Sequence, residues 1–269
     1  MATTEMSTAA GTPYDGGGPY ADPPRRARQE RPRRGFFSTL VGVLGELMIT
    51  VGVLLGLFVV WQLWWTDVEA QGYQAEVAEE WQGSESYVKA PTSPGEERTD
   101  APPIPDAVGT GEVMGKLHIP RLGSGYGPYT IANGVGLADV LNRGYIGHYP
   151  DTQLPGEIGN FATAAHRQSY GAPYKEIEQI VEGDSLIVET NDAYLVYTVT
   201  SHEIVDPSQI EVIAPVPNEP GVVPTERMIT LTTCHPLFSA AERWITYGVF
   251  DHWVDKGSGM PAELLEEGA

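Results

Sequence analysis

Cysteine is almost absent from the sequence. Cys234 is the only cysteine among 269 residues, so no disulfide can form within the chain. An exported domain without disulfides has to take its stability from its core rather than from cross-links. Cys234 is therefore either a small buried apolar residue or a reactive thiol, and its neighbours in the sequence must decide between the two.

Positive charge is also scarce, and it is unevenly placed. The chain has 16 Lys and Arg against 36 Asp and Glu. Six arginines lie within residues 25–34, so ten basic residues face 31 acidic ones after position 65. Nucleic-acid binding requires a basic surface. The composition thus excludes nucleic acid as a partner and suits a soluble secreted domain.

A long hydrophobic run is present only near the N-terminus, where thirty nearly uncharged residues extend from Phe36 to Trp65. This exceeds the roughly 20 residues needed to cross a bilayer, and no cleavage site of a signal peptide follows it. Arginines precede the run and acidic residues follow it. The positive-inside rule then predicts a single-pass anchor over residues 36–65, with the N-terminus in the cytoplasm and the rest outside. Glu46 within the run either reaches the headgroups or marks a helix–helix contact.

The rest of the chain divides by composition. Residues 1–35 are rich in Gly, Pro and Arg, so we expect a disordered basic cytoplasmic tail. Residues 66–111 are interpreted as a stalk and linker: a possible extension of the helix is followed by an extended Pro-, Ser- and Glu-rich spacer. The compact domain is expected at residues 112–255, which suffice for a single core. Residues 256–269 are expected to be a flexible tail.

Short runs rich in β-branched and aromatic residues recur through the compact part, separated by Gly, Pro, Asn and Asp. They are KLHIP, PYTIA, NFATAAH, DSLIVET, YLVYTVTSHEIV, RMITLTTC and WITYGVFDHW. Helical patterns are short and lie around Gly136–Asn142 and Tyr174–Val181. Many strands and few helices predict a mainly β domain, built as a closed barrel or a sandwich.

Three residues with complementary chemistry each stand at the end of a predicted strand. Cys234 ends RMITLTTC, His166 ends NFATAAH, and Arg243 precedes WITYGVF. A thiol attacks an amide only as thiolate, and a histidine can accept its proton and then protonate a leaving amine. A guanidinium can stabilise the oxyanion that forms in between. Taken alone the combination is a weak indicator, because the chain has six histidines.

Several motifs in this order resemble those of the sortases. TLTTC at residues 230–234 resembles the TLxTC signature, and Arg243 stands where sortases place their arginine. NFATAAH, which ends in His166, matches the N-F-x-I-A-x-H pattern of the family. The preceding GHYPDTQLPGEIGN resembles the segment that leads into that histidine, and GKLHIPRLG resembles the first strand of the family. The resemblance covers about residues 112–255 and the membrane span. It implies a closed eight-stranded β-barrel with a few short helices, with Cys234 as nucleophile, His166 as general acid and base, and Arg243 as stabiliser of the oxyanion or substrate.

The Cys-His-Pro tripeptide, the GHYP tetrapeptide and the membrane span resemble class E sortases of actinobacteria. This resemblance implies cleavage of an LAxTG-type sorting signal, in preference to LPxTG, between Thr and Gly through a cysteine thioester. The partners would be secreted proteins with such a signal and an amine of the peptidoglycan precursor. Tyr149 in GHYP is the candidate for favouring alanine, unless it packs as an ordinary aromatic beside the barrel. Thr233 and Ala165 are placed near the substrate by family analogy, Ala165 as part of the wall.

Other interpretations remain open. A pilin-polymerising sortase would carry a lid before the barrel; residues 82–111 contain no Asp-Pro pair, although APPIPDA could cover the groove. A non-catalytic, membrane-tethered wall-binding barrel would leave Cys234 as an inert core thiol. His235 should point away from the site, because successive strand residues face opposite sides. We expect no cofactor and no metal site, because the remaining histidines lack partners at ligand spacing: His118, His148, His202 and His252.

Overall fold

The protein is described here by a computed structural model of residues 35–123 and 125–266. It begins with helix α1, Phe36–Gln82, which contains a segment long and apolar enough to cross a membrane by length and composition. The chain divides into two compact units between Val53 and Leu54, and the second unit contains the second half of α1 and all the strands. The predicted cytoplasmic tail lies outside the described residues, apart from Gly35.

The second half of α1 buries one of its faces against the rest of its unit. The residues on this face recur every three or four positions, as one face of a helix requires: Asp67, Ala70, Gln74, Val77 and Trp81. Ala70 is fully buried, and Trp81 is 8% exposed. The helix therefore continues through the first part of the predicted stalk and packs against the domain that follows.

Within the described residues, eight strands close into a barrel. They follow a two-residue strand β1, Glu97–Arg98, and are β2 Val113–His118, β3 Tyr129–Asn133, β4 Ile146–His148, β5 Gly159–Ala164, β6 Ser185–Glu189, β7 Ala193–Val205, β8 Arg227–His235 and β9 Glu242–Asp255. The order around the barrel is β9, β7, β6, β2, β3, β4, β5, β8, and β8 pairs back onto β9. The predicted closed eight-stranded barrel is confirmed.

The helical parts of the domain are short, as predicted. The 3-10 helices are Pro120–Leu122, Leu141–Arg143, Ile177–Gln179 and Ile210–Ile213, and helix α2 is Ala262–Glu266. The pairs β3–β4 and β5–β8 are parallel, whereas the other pairs are antiparallel. The parallel pair β5–β8 matters most for the site, because both of its strands run toward the same end of the barrel.

Alternation along β8 separates the barrel interior from its outer face. Ile229 and Leu231 are fully buried in the apolar core cluster. Thr230 and Thr232 alternate with them and therefore point to the other face. Continued by two residues, the same alternation places Cys234 on the face of Thr232.

Two segments that were predicted to be loose pack against the barrel. In the expected spacer, β1 pairs with the end of β9, and the Arg98 guanidinium lies 4.3 Å from the ring centroid of Trp253. In the expected tail, Lys256 is fully buried, and its Nζ donates to Glu189 Oε1 at 2.8 Å. The structure thus differs from the expected spacer and tail, because Pro- and Gly-rich composition does not reveal a two-residue strand pairing or one buried ion pair. The domain boundaries themselves stay predictions.

Candidate active site

Cys234 and Arg243 face each other across the antiparallel pair β8–β9, where they are Cα partners. Residues in such pairs have Cβ atoms roughly 4.5 to 5.5 Å apart on the same face of the sheet. The Cys234 thiol is free and partly exposed. The guanidinium of Arg243 is held by the turn before β9, because its Nη1 donates to the carbonyl oxygens of Ala240 and Glu242 at 3.0 and 2.9 Å. The structure therefore brings the predicted nucleophile and the predicted arginine together.

His166 reaches the same face through the parallel pair β5–β8. Ala164 is the Cα partner of Thr232, and the next amide, that of Ala165, donates to the carbonyl of Thr232 at 3.2 Å. His166 and Cys234 each lie two residues beyond this pair. Because side chains alternate with period two along neighbouring strands, His166 emerges beside Cys234.

Two side chains hold the imidazole of His166. Its ring stacks on Tyr170, with ring centroids 5.2 Å apart and an interplanar angle of 29°. Its Nε2 lies 2.9 Å from Asn142 Oδ1. An amide oxygen only accepts hydrogen bonds, so Nε2 carries the proton and Nδ1 is left as the basic nitrogen. Burial lowers the pKa of His166, which keeps the ring neutral at pH 7 and able to accept a proton.

A cavity of about 110 Å³ lies on the face that carries Cys234. Tyr149 and Thr232 line it, and their hydroxyl oxygens are 3.1 Å apart. Arg243 and Ile245 line it from β9, together with residues between Val205 and Ile213 of the β7–β8 connection. Tyr149 thus occupies a wall of the cavity next to the candidate triad.

Thr233 and Ala165 lie on the opposite face. Their side chains are 3% and 5% exposed, and Ala165 belongs to the core cluster. The Thr233 hydroxyl donates to the carbonyl of Ala165 at 2.7 Å, which links β8 to the end of β5. The structure therefore separates these two side chains from the face of Cys234, His166 and Arg243, because neighbouring residues on a strand point to opposite sides.

His235 and Arg167 show how the end of β8 is fixed. His235 points away from the thiol, as predicted: its ring packs near Trp244, and its Nδ1 lies 2.9 Å from Arg167 Nη1. Arg167 is 2% exposed; it donates to the carbonyl of Cys234 at 3.3 Å and pairs with Glu178 at 2.6 Å. This buried arginine was missed from the sequence, although it directly follows His166.

Metal ligands are not assembled in this region. Among the described residues, no group of three or more His, Cys, Asp or Glu side chains is arranged to hold a metal ion.

Comparisons with known proteins identify the family of the chain. The family model for the Sortase domain matches residues 117–251. The chain is 34% identical to Sortase SrtE1 of Streptomyces coelicolor over 90% of this chain and 65% of that protein. It is 35% identical to Sortase SrtE2 of the same organism over 83% of this chain and 88% of that protein. The chain thus spans 65% of the length of SrtE1.

The fold is similar to solved structures of such proteins. SrtA sortase from Actinomyces oris superimposes with a TM-score of 0.60 at 45% identity, over 62% of this chain and 96% of that one. Sortase E1 from Streptomyces coelicolor, solved with a tripeptide in the active site, superimposes with a TM-score of 0.54 at 36% identity. The match covers 59% of this chain and 99% of that one.

Proposed function

The chain belongs to the sortase family, whose members are cysteine transpeptidases, and on this basis we propose that it is a sortase transpeptidase of the class E type. It cleaves a C-terminal sorting signal between Thr and Gly, prefers LAxTG-type over LPxTG signals, and joins the new carboxyl end to an amine of a cell-wall precursor. The observation that carries the proposal is the shared face of Cys234, His166 and Arg243, where β5, β8 and β9 meet.

The first step forms a thioester. The thiol proton of Cys234 passes to Nδ1 of His166, and the sulfur bonds to the carbonyl carbon of the substrate threonine. Arg243 stabilises the oxyanion that develops on the carbonyl oxygen. The carbon–nitrogen bond then breaks, and the leaving glycine amine takes the proton from His166.

The second step transfers the acyl group. The amine of the acceptor attacks the thioester carbonyl carbon, and neutral His166 accepts a proton from that amine. The carbon–sulfur bond breaks, the sulfur leaves and is reprotonated from His166, and an amide joins the sorted protein to the acceptor. A lowered pKa of His166 suits this step, because the acceptor's proton requires a neutral imidazole.

The cavity beside the triad supports a peptide substrate. Its volume is about 110 Å³, and it is lined by Arg243 and by Thr232, two residues before Cys234 on β8. Tyr149 lies in its wall, which supports its role in favouring alanine over proline within the signal. The tripeptide in the active site of the Streptomyces coelicolor enzyme supports the same kind of ligand here.

The candidate membrane anchor in α1 supports an acceptor amine on the outer side of the membrane. Sortases are membrane-associated, and α1 contains a segment apolar and long enough for an anchor. By the positive-inside rule the N-terminus is cytoplasmic and the catalytic domain extracellular. The acceptor amine then belongs to the peptidoglycan precursor outside the membrane, with the diaminopimelate cross-bridge of actinobacteria as our candidate.

The position of β1 argues for wall anchoring over pilin polymerisation. A lid would cross the groove beside Arg243. Instead, Arg98 pairs with Trp253, ten residues further along β9, which is roughly 30 Å at about 3.3 Å per residue. Residues 97–98 thus lie at the far end of β9 from Arg243, and Ala101, Pro102 and Ile104 line a cavity beside Arg227, at the start of β8.

The test uses the full chain in detergent micelles, with matched fluorogenic peptides containing LAETG or LPETG and a small primary amine. Cleavage of LAETG with formation of the amine adduct, abolished in Cys234→Ala and strongly reduced in His166→Ala, supports the proposal. Faster cleavage of LPETG would retain the sortase and overturn the class E preference. A folded chain that cleaves neither peptide, with Cys234 inert to iodoacetamide, would overturn the enzyme and favour a wall-binding barrel.

A further inference from the structure

The two side chains that hold His166 come from two turns, and both turns also contact α1. Asn142 belongs to the Asn142 turn, residues 141–144, and Tyr170 belongs to the Tyr170 turn, residues 169–172. These turns are close to each other: a Cβ atom added to Gly144 would lie 2.9 Å from the carbonyl oxygen of Tyr170. The surroundings of the imidazole therefore depend on what holds these turns together.

Polar side chains of α1 bond directly to both turns. Asp67 Oδ1 accepts a hydrogen bond from the amide of Gly171 at 3.0 Å. Gln74 donates from Nε2 to the carbonyl of Gly144, and its Oε1 accepts from the amide of Thr130 at 3.0 Å. One helical face thus satisfies backbone groups of the Tyr170 turn, of the Asn142 turn and of β3.

The methyl group of Ala70 packs between these polar contacts. A Cβ atom added to Gly144 would lie 2.9 Å from that methyl carbon, and one added to Gly171 would lie 3.4 Å from it. Both glycines also have a positive φ, +79° and +75°, which glycine adopts without steric penalty. Ala70 is fully buried at this junction, and its methyl group leaves no room for a side chain on Gly144 of the Asn142 turn.

The Tyr170 turn needs such support because of its own backbone. Tyr170, Gly171 and Ala172 are three successive residues with positive φ, at 54°, 75° and 41°. For the two residues that are not glycine this region is unfavourable, and it persists only where surrounding contacts hold it. The hydrogen bond from Gly171 to Asp67 is such a contact, and it lies at the centre of the strained segment.

We propose that the segment Asp67–Gln74 of α1 positions the catalytic histidine by bracing the Asn142 and Tyr170 turns. Asp67, Ala70 and Gln74 are positioning residues, since they act on His166 through these turns. The inference rests on the proposed function, and it extends the catalytic machinery to a helix that precedes the sortase-domain match at 117–251. A sequence match to the domain alone therefore omits a part of the enzyme that its catalytic step requires.

The test compares single variants of the full chain in detergent micelles. Asp67→Ala and Gln74→Ala each remove contacts to a turn, and we expect kcat for cleavage to fall about tenfold with KM within about twofold. The matched controls are Glu69→Ala and Gln71→Ala, which lie on the exposed face of the same helix and are expected to retain wild-type kcat. Thermal unfolding of each variant is measured alongside.

A conservative variant separates positioning from loss of stability. Asp67→Asn keeps an oxygen that can accept from the Gly171 amide, so it should recover most of the kcat lost in Asp67→Ala. Unchanged kcat in both alanine variants overturns the proposal, as does a rise in KM alone. A fall in kcat that only follows the unfolded fraction overturns it as well.

A second readout does not depend on peptide cleavage. In a chain labelled with ¹⁵N-histidine, the Nε2 resonance of His166, assigned with His166→Ala, reports its hydrogen bond to Asn142. We expect this resonance to move in Asp67→Ala and Gln74→Ala and to stay in place in Glu69→Ala. If no sorting peptide is cleaved by the wild-type chain, the proposed function fails, and this resonance alone decides whether α1 positions His166.

Discussion

The Nε2 atom of His166 donates a hydrogen bond to Oδ1 of Asn142, at 2.9 Å. A neutral amide fixes which nitrogen carries the proton without adding a charge to the site. Burial can then lower the pKa of His166 unopposed by a neighbouring carboxylate at this position. An aspartate at position 142 would oppose this effect of burial, whereas the neutral asparagine does not.

Asn142→Asp should shift the pH dependence of the reaction. A carboxylate beside Nε2 favours the imidazolium, so the pKa of His166 rises and the pH at which it loses its proton moves up by about one unit. The limb of the profile of kcat/KM against pH that reports His166 should move by the same amount. Rates measured with the LAETG peptide between about pH 5 and 9 test this. Asn191→Asp, at the turn between β6 and β7, is the matched control, and equal profiles for the two variants would contradict the assignment.

Arg243→Lys tests whether the oxyanion requires a guanidinium. Lysine keeps the charge but offers no planar fork of donors, and the contacts to the carbonyls of Ala240 and Glu242 change with it. We expect kcat to fall about 100-fold with little change in the Cys234 alkylation rate. Arg121→Lys is the control, because that side chain is half exposed and its ion pair with Asp184 is long, at 3.7 Å. A wild-type kcat in Arg243→Lys would show that the positive charge at this position suffices and that the planar guanidinium is not required.

The Tyr149 variants test the preference for alanine in the signal. The ring lies in the wall of the cavity of about 110 Å³, and we propose that it limits the space available to the larger proline ring. Tyr149→Ala should move the ratio of kcat/KM for LAETG over LPETG toward LPETG by about tenfold. Tyr149→Phe keeps the ring and loses only the contact with Thr232, so its ratio should stay within about twofold. An equal shift in both variants would assign the preference to the hydroxyl group.

The sequence predicts most of the strands because their signals are local, whereas the closed eight-stranded barrel was implied by the family resemblance. Each long strand has a run of β-branched and aromatic residues with period two, and the motifs at 230–234 and at His166 stand at strand ends where the sheet register can bring them together. The short strand β4, Ile146–His148, was missed because three residues with a central glycine make no such run. Local propensity thus suffices for most of the strands, whereas the candidate triad also required the resemblance of its motifs to those of a known family.

The residues that hold the side chains of the candidate site in place could not be predicted in the same way. Asn142 is 24 residues from His166, and Arg167 is 68 residues from His235. Neither contact leaves a periodic trace in the sequence. The buried face of α1 does recur every three or four residues, but Asp67 and Gln74 make it polar, so no apolar stripe marks it. Side chains that bond to backbone groups of distant turns require the fold before they can be recognised.

Lys256 provides the last prediction, because it anchors a segment expected to be a flexible tail. Its Nζ donates to Glu189 at 2.8 Å and lies 3.6 Å from the ring centroid of Tyr87. Burial alone would raise the pKa of Glu189, but the hydrogen bonds and charges of His118 and Lys256 outweigh it and lower this pKa to about 2. Lys256→Met leaves Glu189 buried with fewer partners and should lower the free energy of unfolding by about 3 kcal/mol.

The pH dependence of the free energy of unfolding also tests the pairing of Glu189 with Lys256. Because the folded pKa of Glu189 lies below its ordinary value of 4.5, its contribution is complete above pH 4.5 and is lost as the pH falls toward 2. In Lys256→Met the pKa of Glu189 rises, so the loss should begin at a higher pH. Chemical unfolding of the full chain at several pH values measures both effects, with the exposed Lys89→Met as control. The double variant Glu189→Gln, Lys256→Met removes both charges and should lose less stability than the two single variants together, and strict additivity would show that the two residues do not stabilise each other.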